Sequence, residues 1–343
     1  MISSVVRALA AGLLLLGLLA LAGCASTPAE QTVSISTPFA TLPPSSPATL
    51  TASPLIPTPT PINEPGSTLI PTSTPTVTPT PTPNVVRFAV IGDYGTGDEA
   101  AQRVAELVLS WQPDLLLTVG DNNYPLGATE TIDEHIGRFY QEFIYPYPGS
   151  YGPGAGSNRF FPALGNHDLY TAQGQAYFDY FILPGNERYY DFTWGMVHFF
   201  CVNSTDSEPD GVGRSSAQAA WLQERLAGST SAWQVVYFHL PPYSSGYHGS
   251  VDWMRWPFAA WGADVVLSGH DHLYERLDVD GIPYLINGLG GGPIYPFINI
   301  LLESRVRYNA SHGALLVTAS EETMLFQFVA DTGEVVDAFE LSH

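Results

Sequence analysis

Apolar runs that end in short polar motifs recur five times along the chain. Branched and aromatic residues dominate these runs and predict buried strands, at Val85–Ile91, Leu115–Val119, Phe160–Leu164, Trp233–Phe238 and Ala263–Ser268. The motifs that follow read GDYG, GDNNY, GNHD, a single histidine and GHDH. Open α/β sheets place ligands at the carboxyl ends of their strands, so we expect these polar side chains to gather at one edge.

Helical and hairpin patterns lie between and after these strands. Asp98–Trp111 carries Ala101, Val104, Ala105 and Val108 on one face, which predicts an amphipathic helix. Periodicity and turn signals predict two more helices and a hairpin, at Thr131–Phe143, Ser215–Leu226 and Tyr189–Val202. The strand-rich tail indicates an antiparallel meander. The whole pattern predicts an α/β (α+β) fold of four layers, two mixed β-sheets packed as a sandwich and flanked by helices.

The first 24 residues have the pattern of a bacterial export signal. Arg7 precedes the apolar run Ala8–Leu21, and the segment ends in Leu-Ala-Gly-Cys24. This ending resembles the lipobox, in which the cysteine becomes the lipidated first residue of the mature protein. Residues 1–24 are therefore predicted to be a lipoprotein signal peptide. The protein is expected to be exported and lipid-anchored to the outer face of a bacterial membrane, at the cell surface or in the periplasm. An ordinary secretory signal with an incidental cysteine is the alternative.

Residues 25–84 have the composition of a linker. They contain 15 of the 29 prolines, many in Thr-Pro repeats, and only Glu30 and Glu64 are charged. Such a segment cannot bury a core and favours the extended polyproline II conformation. We expect a disordered Thr/Pro-rich stalk, which leaves residues 85–343 as the globular, catalytic domain.

The net charge limits the partners of this domain. Twelve arginines and 33 acidic residues give the chain a formal net charge of −21, and it contains no lysine. An acidic surface repels nucleic acids and anionic lipids. We therefore expect no nucleic-acid-binding patch, and contact with the membrane only through the lipid anchor. An anionic substrate needs locally concentrated positive charge, for which metal ions are the obvious source. Cys201 lies in an apolar run and is expected to be a core residue.

The five motifs supply a constellation of oxygen and imidazole groups. Its members are Asp93, Asp121, Tyr124, Asn166, His167, His239, His270 and His272. Each has an ordinary alternative, since aspartate and asparagine often cap turns and a lone histidine is usually a hydrogen-bonded core residue. Five motifs, each at the end of an apolar run, favour a site instead. These donors suit iron, manganese or zinc, and their number exceeds the need of one ion, which indicates a two-metal centre for phosphoryl displacement.

The motif set resembles that of the calcineurin-like metallophosphoesterases, in the order Asp, GD, GNH, His and GHxH, over nearly all of residues 85–343. The resemblance implies the metallophosphoesterase fold, a β-sandwich flanked by helices with a dinuclear metal site at its edge. It implies Asp93 and His272 as ligands of a first metal ion, with Asp121 bridging to a second. The implied ligands of the second ion are Asn166, His239 and His270.

The first motif departs from much of the superfamily, which has Asp-x-His where this chain has Gly95. Purple acid phosphatases combine GDxG with GDxxY, as this chain does, and the resemblance implies Tyr124 as the substitute ligand. The alternative is that Tyr124 merely packs on Pro125. Three anionic ligands at the first site and one shared carboxylate at the second suit a trivalent ion beside a divalent one. The resemblance implies Fe(III) beside divalent Fe, Zn or Mn.

The implied reaction is that of an acid phosphatase, the hydrolysis of small phosphate monoesters by in-line attack of a metal-bound hydroxide. His167 resembles the family's histidine that contacts substrate or protonates the leaving group. His248 lies in a loop where purple acid phosphatases often place a histidine that contacts substrate. Asp168 and Asp271 are candidates either to orient neighbouring histidines or to hold turns.

Two other functions are compatible with the same residues. A phosphodiesterase acting on nucleotides or lipid headgroups would use the same dinuclear centre. A cell-surface binding module on a stalk would keep the fold without turnover, although a degenerate copy is expected to have lost one or more ligands, and here the set is intact. The expected partner is a small phosphate-ester substrate.

Overall fold

The computed structural model describes residues 85–343, so the predicted signal peptide and linker lie outside the described residues. Strands make up much of this part of the chain. They are β1 (Val86–Ile91), β2 (Leu115–Thr118), β3 (Phe160–Pro162), β4 (Tyr190–Trp194), β5 (Val197–Cys201), β6 (Trp233–Tyr237), β7 (Val265–Ser268), β8 (Tyr274–Val279), β9 (Ile282–Asn287), β10 (Ser304–Tyr308), β11 (Gly313–Ala319), β12 (Thr323–Ala330) and β13 (Val335–Ser342).

The strands build two mixed sheets, as predicted. The first has the order β13-β12-β11-β1-β2-β3, in which β1, β2 and β3 run parallel. The second has the order β10-β8-β9-β7-β6-β5-β4, in which β5, β6, β7 and β9 run parallel. The five strands that precede the polar motifs lie in these parallel blocks. Within each sheet their carboxyl ends therefore reach the same edge.

An apolar core joins the inner faces of the two sheets. Phe88 of β1 meets Phe199 of β5 edge to face, with ring centroids 5.1 Å apart, and both side chains are fully buried. A second apolar cluster packs the outer face of the second sheet against helices, and it includes Phe200, Leu222 and Phe258. Two sheets between helical layers give the predicted four-layer sandwich.

Short helices flank the sheets. They are α1 (Glu99–Ser110), α2 (Thr129–Ile132), α3 (Arg138–Tyr140), α4 (Asn166–Leu169), α5 (Gln175–Tyr180), α6 (Ala217–Ala227) and α7 (Phe258–Trp261). A π-helical turn spans Asp133–Gly137, and 3₁₀ turns span Gln141–Phe143, Ala172–Gly174 and Asp252–Met254. Asp98 starts α1, because its carboxylate accepts the N–H groups of Ala100 and Ala101 at 3.0 Å each. The predicted face of α1 is the buried one.

The helix predicted over Thr131–Phe143 is present, but its geometry changes along its length, from α2 through the π-helical turn and α3 to a 3₁₀ turn. The π-helical turn begins at Asp133, whose carboxylate accepts hydrogen bonds from the hydroxyls of Tyr147 and Tyr180. Gly137 lies against the same cluster, and a Cβ there would lie 2.2 Å from the Asp133 carboxylate. These long-range contacts favour the wider turn, and hydrophobic periodicity does not report them.

The structure also shows where Cys201 lies and whether any described helix could span a membrane. Cys201 is a free, fully buried residue, as predicted, and burial raises the pKa of its thiol to about 12. Within residues 85–343, no helix has the length and apolar character needed to span a bilayer. Cys24 of the predicted lipobox lies outside the described residues, so the lipid anchor stays a prediction.

Replacing Phe88 with alanine tests the packing between the sheets. Phe88→Ala removes a fully buried ring from the inter-sheet core and is expected to lower the free energy of unfolding by about 3–5 kcal/mol. Denaturant unfolding of the purified protein measures this. The matched control is Leu302→Ala, whose side chain is 92% exposed and should change stability by less than about 0.5 kcal/mol. Equal effects of the two substitutions would contradict the assigned core.

Candidate metal centre

Three residues of the predicted site have a strained backbone conformation where their strands end. Asp93, Asp121 and His270 have φ angles of 56°, 52° and 70°, in the left-handed region that residues other than glycine rarely adopt. The N–H of Asp93 donates to the carbonyl of Gly120 at 3.1 Å. The N–H of His270 donates to the Asp93 carboxylate at 2.9 Å. These bonds hold the ends of β1, β2 and β7 together, which is how the strained conformations persist.

The carboxylate of Asp121 lies between two groups of side chains. Its Oδ2 accepts a hydrogen bond from the hydroxyl of Tyr124 at 2.9 Å, and its Oδ1 lies 3.4 Å from Nε2 of His239. Oδ1 also accepts the backbone N–H of His167 at 3.0 Å. Asp121 is 1% exposed, so it contacts both groups in a place from which bulk water is excluded.

Asp93, Tyr124 and His272 form the first group with Asp121. The Tyr124 hydroxyl lies 3.0 Å from Nε2 of His272 and 3.3 Å from Oδ1 of Asp93. Nε2 of His272 lies 3.3 Å from the same Asp93 oxygen. One donor atom from each of Asp93, Asp121 and His272 lies within 4.8 Å of the others, and all three residues are buried. Four donor atoms therefore converge on one point at the strand ends.

Asn166, His239 and His270 form the second group. Nε2 of His239 lies 3.1 Å from Oδ1 of Asn166 and 3.2 Å from Nδ1 of His270. The amide nitrogen of Asn166 donates to the hydroxyl of Tyr170 at 2.9 Å, which turns the amide oxygen toward the histidines. Asparagine and neutral imidazole bring no negative charge, so the charge at the second group comes from the facing Asp121 carboxylate.

Backbone carbonyls fix which ring nitrogen of His239 and His272 faces the cluster. Nδ1 of His239 lies 2.8 Å from the carbonyl oxygen of Val119, and Nδ1 of His272 lies 2.7 Å from that of Pro293. A carbonyl oxygen only accepts, so each Nδ1 carries a proton and each Nε2 faces the carboxylates. Metal-binding histidines show this arrangement, in which the distal N–H donates to a carbonyl or carboxylate.

The electrostatics of the cluster favour a bound cation. Burial and the carboxylates of Asp93 and Asp121 raise the pKa of Tyr124 well above its usual value. Burial alone lowers the pKa of His239, but the Asp121 carboxylate outweighs it and raises that pKa to about 9. Burial raises the pKa of Asp121, and the facing His239 outweighs it and lowers that pKa. Metal ions take the place of protons on such groups, and carboxylate, phenol, amide and imidazole donors together fit iron, zinc or manganese.

Gly95 has no room for a side chain, because the turn from Asp121 to Tyr124 lies directly against it. The N–H of Tyr124 donates to the carbonyl of Gly95 at 2.8 Å. A Cβ on Gly95 would lie 2.1 Å from the carbonyl oxygen of Asn122 and 2.4 Å from the nitrogen of Asn123. The glycine in the first motif and the tyrosine in the second are therefore linked sterically. The turn that positions Tyr124 occupies the space that a histidine at position 95 would need.

Asp168 and Asp271 hold backbone turns, which is the second of the two roles considered for them. The carboxylate of Asp168 accepts the backbone N–H groups of Asn122 and Asn123 at 3.0 and 3.1 Å. The carboxylate of Asp271 accepts the backbone N–H of His248 at 2.8 Å. No imidazole nitrogen among residues 85–343 bonds to either carboxylate. Each aspartate therefore fixes a loop that carries a site residue.

His167 and His248 border the two groups and reach solvent. The Nδ1 of His167 donates to a backbone carbonyl, and its Nε2 lies 3.9 Å from Oδ2 of Asp121 with 30% of the side chain exposed. The ring of His167 also contacts that of Tyr124, with centroids 4.5 Å apart. His248 is exposed, and its ring lies 4.3 Å from that of His270. Both predicted histidines thus stand beside the cluster.

Two tyrosines of the site were missing from the sequence analysis. Tyr170, which accepts from Asn166, lies four residues after it, directly at the C-terminal end of α4, so the spacing of neighbours on a helix face is a signal that points to it. Tyr295 stacks on the ring of His272, with centroids 4.2 Å apart and planes inclined by 6°. Tyr295 lies in an irregular segment after β9, and no local pattern marks it.

The fold and the arrangement of the site assign the protein to the metallophosphoesterase class of hydrolases. The family model described as calcineurin-like phosphoesterase matches residues 86–274. This match spans more than half of the chain, so the protein belongs to the calcineurin-like phosphoesterase family.

Several proteins similar to this chain are acid phosphatases by name. Purple acid phosphatase 15 of Arabidopsis thaliana is 28% identical over 254 residues, which cover 60% of this chain and 45% of the relative. Tartrate-resistant acid phosphatase type 5 of Mus musculus is 25% identical over 249 residues, which cover 62% of this chain and 73% of the relative. A purple acid phosphatase from yellow lupin seeds matches the fold with a TM-score of 0.61 at 18% identity, over 76% of this chain and 54% of that one. This chain therefore spans less than half the length of the Arabidopsis relative.

A methyl group at position 95 tests the steric link between Gly95 and the Tyr124 turn. Gly95→Ala places a carbon 2.1 Å from the Asn122 carbonyl, so the turn must shift, and the free energy of unfolding should fall by about 1–3 kcal/mol. Metal content, measured by mass spectrometry of the purified protein, should fall with it. In the control Gly156→Ala the new Cβ meets no atom within 4 Å. Wild-type stability and metal content in Gly95→Ala would refute the link.

Removing the Tyr170 hydroxyl tests how the Asn166 amide is oriented. In Tyr170→Phe the amide nitrogen loses its acceptor at 2.9 Å, and chelator titration should show metal lost from the protein at about tenfold lower chelator concentration. Tyr151→Phe is a matched control, because Tyr151 is an exposed tyrosine whose hydroxyl bonds to no other described residue. Identical chelator curves for the two variants would show that Tyr170 does not position Asn166.

Proposed function

We propose that this domain is a dinuclear-metal phosphohydrolase that cleaves phosphate monoesters, an acid phosphatase of the purple type. The observation that carries the proposal is the position of Asp121, whose two carboxylate oxygens face different groups of donors. Such a carboxylate suits a bridge between two ions. The first ion would be held by Asp93, Asp121, Tyr124 and His272, and the second by Asp121, Asn166, His239 and His270.

Two metal ions held by these residues would supply Lewis acidity for activating water and for neutralising the charge of the phosphoryl group. Tyr124 decides which ion the first group prefers. Its pKa is raised by burial and by two carboxylates, so the phenol gives up its proton only beside a strongly charged cation. With Asp93 and Asp121 it then offers three anionic ligands. We assign Fe(III) to the first group and divalent Fe, Zn or Mn to the second.

The two bordering histidines handle the substrate. The Nδ1 proton of His167 is held by a backbone carbonyl, so Nε2 is the atom that exchanges a proton or contacts a phosphate oxygen. With part of its ring in solvent, His167 is suited to protonate the leaving oxygen of the ester. His248 lies against the ring of His270 and is assigned to contact a phosphate oxygen.

The net charge of the chain and its similarity to proteins named acid phosphatases support a small phosphate monoester as the substrate. The chain's net charge of −21 disfavours polyanions such as nucleic acids, whereas a single phosphate finds its countercharge in the metal ions. Two relatives named acid phosphatases, at 28% and 25% identity, support the same reaction. A diester would offer less charge for two cations to neutralise.

Colour and substrate preference of the purified protein test the proposal together. We expect bound iron, a visible absorption band from tyrosinate bound to Fe(III), and faster hydrolysis of p-nitrophenyl phosphate than of bis(p-nitrophenyl) phosphate. Tyr124→Phe should abolish the band and lower kcat/KM by at least about tenfold, because an anionic ligand is lost. Tyr145→Phe, a change at a half-exposed tyrosine, should alter neither.

Each contrary result has a distinct meaning. A colourless, fully active zinc or manganese enzyme would contradict the iron assignment and leave the phosphohydrolase intact. Preference for the diester would favour the phosphodiesterase alternative. Two bound metal ions without hydrolysis of either ester would favour a binding module.

A further inference from the structure

A cavity opens beside the second group of donors. Its volume is about 450 Å³, and its wall includes Leu164, Asn166, Tyr170, Phe178, Arg188 and Asp206. We refer to it as the Asn166 cavity. Its volume lies within the range of about 300–1,000 Å³ that small-molecule sites occupy. Because Asn166 faces His239 at 3.1 Å, a molecule in this cavity adjoins the reacting centre.

One side of the Asn166 cavity is apolar and aromatic. Leu164 is buried, while Leu169 and Phe178 are partly buried and line the cavity with carbon surface. Tyr170 is 58% exposed, and its ring packs against that of His167 with centroids 4.9 Å apart. Apolar and aromatic walls of this kind retain a flat or apolar body, because contact removes carbon surface from water on both partners.

The polar groups of the other side are already bonded to one another. The amide nitrogen of Asn203 donates to Glu208 at 2.8 Å, and its amide oxygen accepts both the N–H and the hydroxyl of Thr205. Groups paired in this way gain little from a further hydrogen bond to a ligand. The polar side therefore shapes the cavity more than it recognises a particular hydrogen-bonding group.

Arg188 brings no free positive charge to the cavity. Its Nε donates to the fully buried carboxylate of Glu208 at 3.1 and 3.2 Å, and its Nη2 donates to Asp210 at 2.8 Å. Asp206, exposed at the wall, adds a third carboxylate. One arginine is paired with two carboxylates, and Asp206 adds a third acidic residue to the wall, so the protein groups at this wall carry a net negative charge.

We propose that the Asn166 cavity receives the alcohol part of the substrate and selects a flat, apolar alcohol that carries no further negative charge. A second phosphate or a carboxylate on the alcohol meets paired Arg188 and the carboxylate of Asp206, whereas a cationic group meets a complementary field. The inference rests on the proposed function for its role in turnover. The binding of the alcohol itself does not depend on turnover.

Binding of two free phenols tests the cavity without catalysis. The probes are 4-(trimethylammonio)phenol and 4-hydroxybenzoate, titrated into the purified protein and followed by ligand-observed NMR. The cationic phenol should bind more tightly than the anionic one. Asp206→Lys should shift the ratio of their dissociation constants by about threefold or more toward the anionic phenol, the scale of one exposed charge pair changed in sign. Glu322→Lys makes the same charge change in the turn between β11 and β12, at the edge of the first sheet opposite Asp93, and should leave the ratio unchanged.

Turnover of the matching phosphate esters gives the second readout. The ratio of kcat/KM between the cationic and the anionic aryl phosphate should fall about threefold or more in Asp206→Lys relative to wild type. Comparing ratios between proteins cancels the intrinsic reactivity of each leaving group. Phe178→Ala should lower kcat/KM for phenyl phosphate about tenfold more than for methyl phosphate, because the phenyl ring loses an aromatic wall.

The possible outcomes distinguish a failure of the proposed role of the cavity from a failure of the proposed phosphohydrolase activity. Phenol binding that responds to Asp206→Lys, without ester hydrolysis, would support the cavity and overturn the phosphohydrolase. Hydrolysis with no charge discrimination, or with equal effects of Asp206→Lys and Glu322→Lys, would overturn the cavity and leave the phosphohydrolase standing. Failure of both phenols to bind would also overturn the proposed role of the Asn166 cavity.

Discussion

One buried carboxylate connects the two sheets at the site. Asp121 follows β2 of the first sheet, and His239, 3.4 Å from its Oδ1, follows β6 of the second. Burying a carboxylate is costly unless charged and hydrogen-bonding partners compensate. Here Tyr124, His239 and the N–H of His167 do so, and they come from three different strand ends. The contact requires both sheets to present their parallel strand ends at the same edge, which the apolar packing of Phe88 and its neighbours maintains.

The sequence predicted which residues meet because each follows directly after a parallel strand, where little chain separates the motif from the sheet. Tyr124 could be predicted equally well, since it lies three residues after Asp121 in the same turn. Tyr295 could not be predicted from the sequence, because its position over His272 depends on an irregular segment. The change from α-helical to π-helical geometry at Asp133 was not predicted for a similar reason, because the Asp133 carboxylate is held by the hydroxyls of Tyr147 and Tyr180, which are distant in sequence. Periodicity reports local burial and is silent about such contacts.

The structure adds a cause to the pairing of motifs. From sequence, Gly95 was a missing ligand and Tyr124 its replacement. In the fold, the carbonyl of Asn122 occupies the space beside Gly95, so a side chain at position 95 and this turn exclude each other. A substitution of Gly95 alone therefore cannot exchange one ligand for the other. Arg188 is paired with carboxylates, so the countercharge for an anionic substrate would have to come from the proposed metal ions.

The central claim is that two metal ions share Asp121. Anomalous diffraction from crystals of the protein, collected at the absorption edges of iron, zinc and manganese, tests it most directly. The account predicts two peaks, an iron peak in contact with the Tyr124 hydroxyl oxygen, Asp93, Asp121 and His272, and a second in contact with Asp121, Asn166, His239 and His270. A single peak, or two peaks with the Tyr124 oxygen outside the coordination of either, would contradict it.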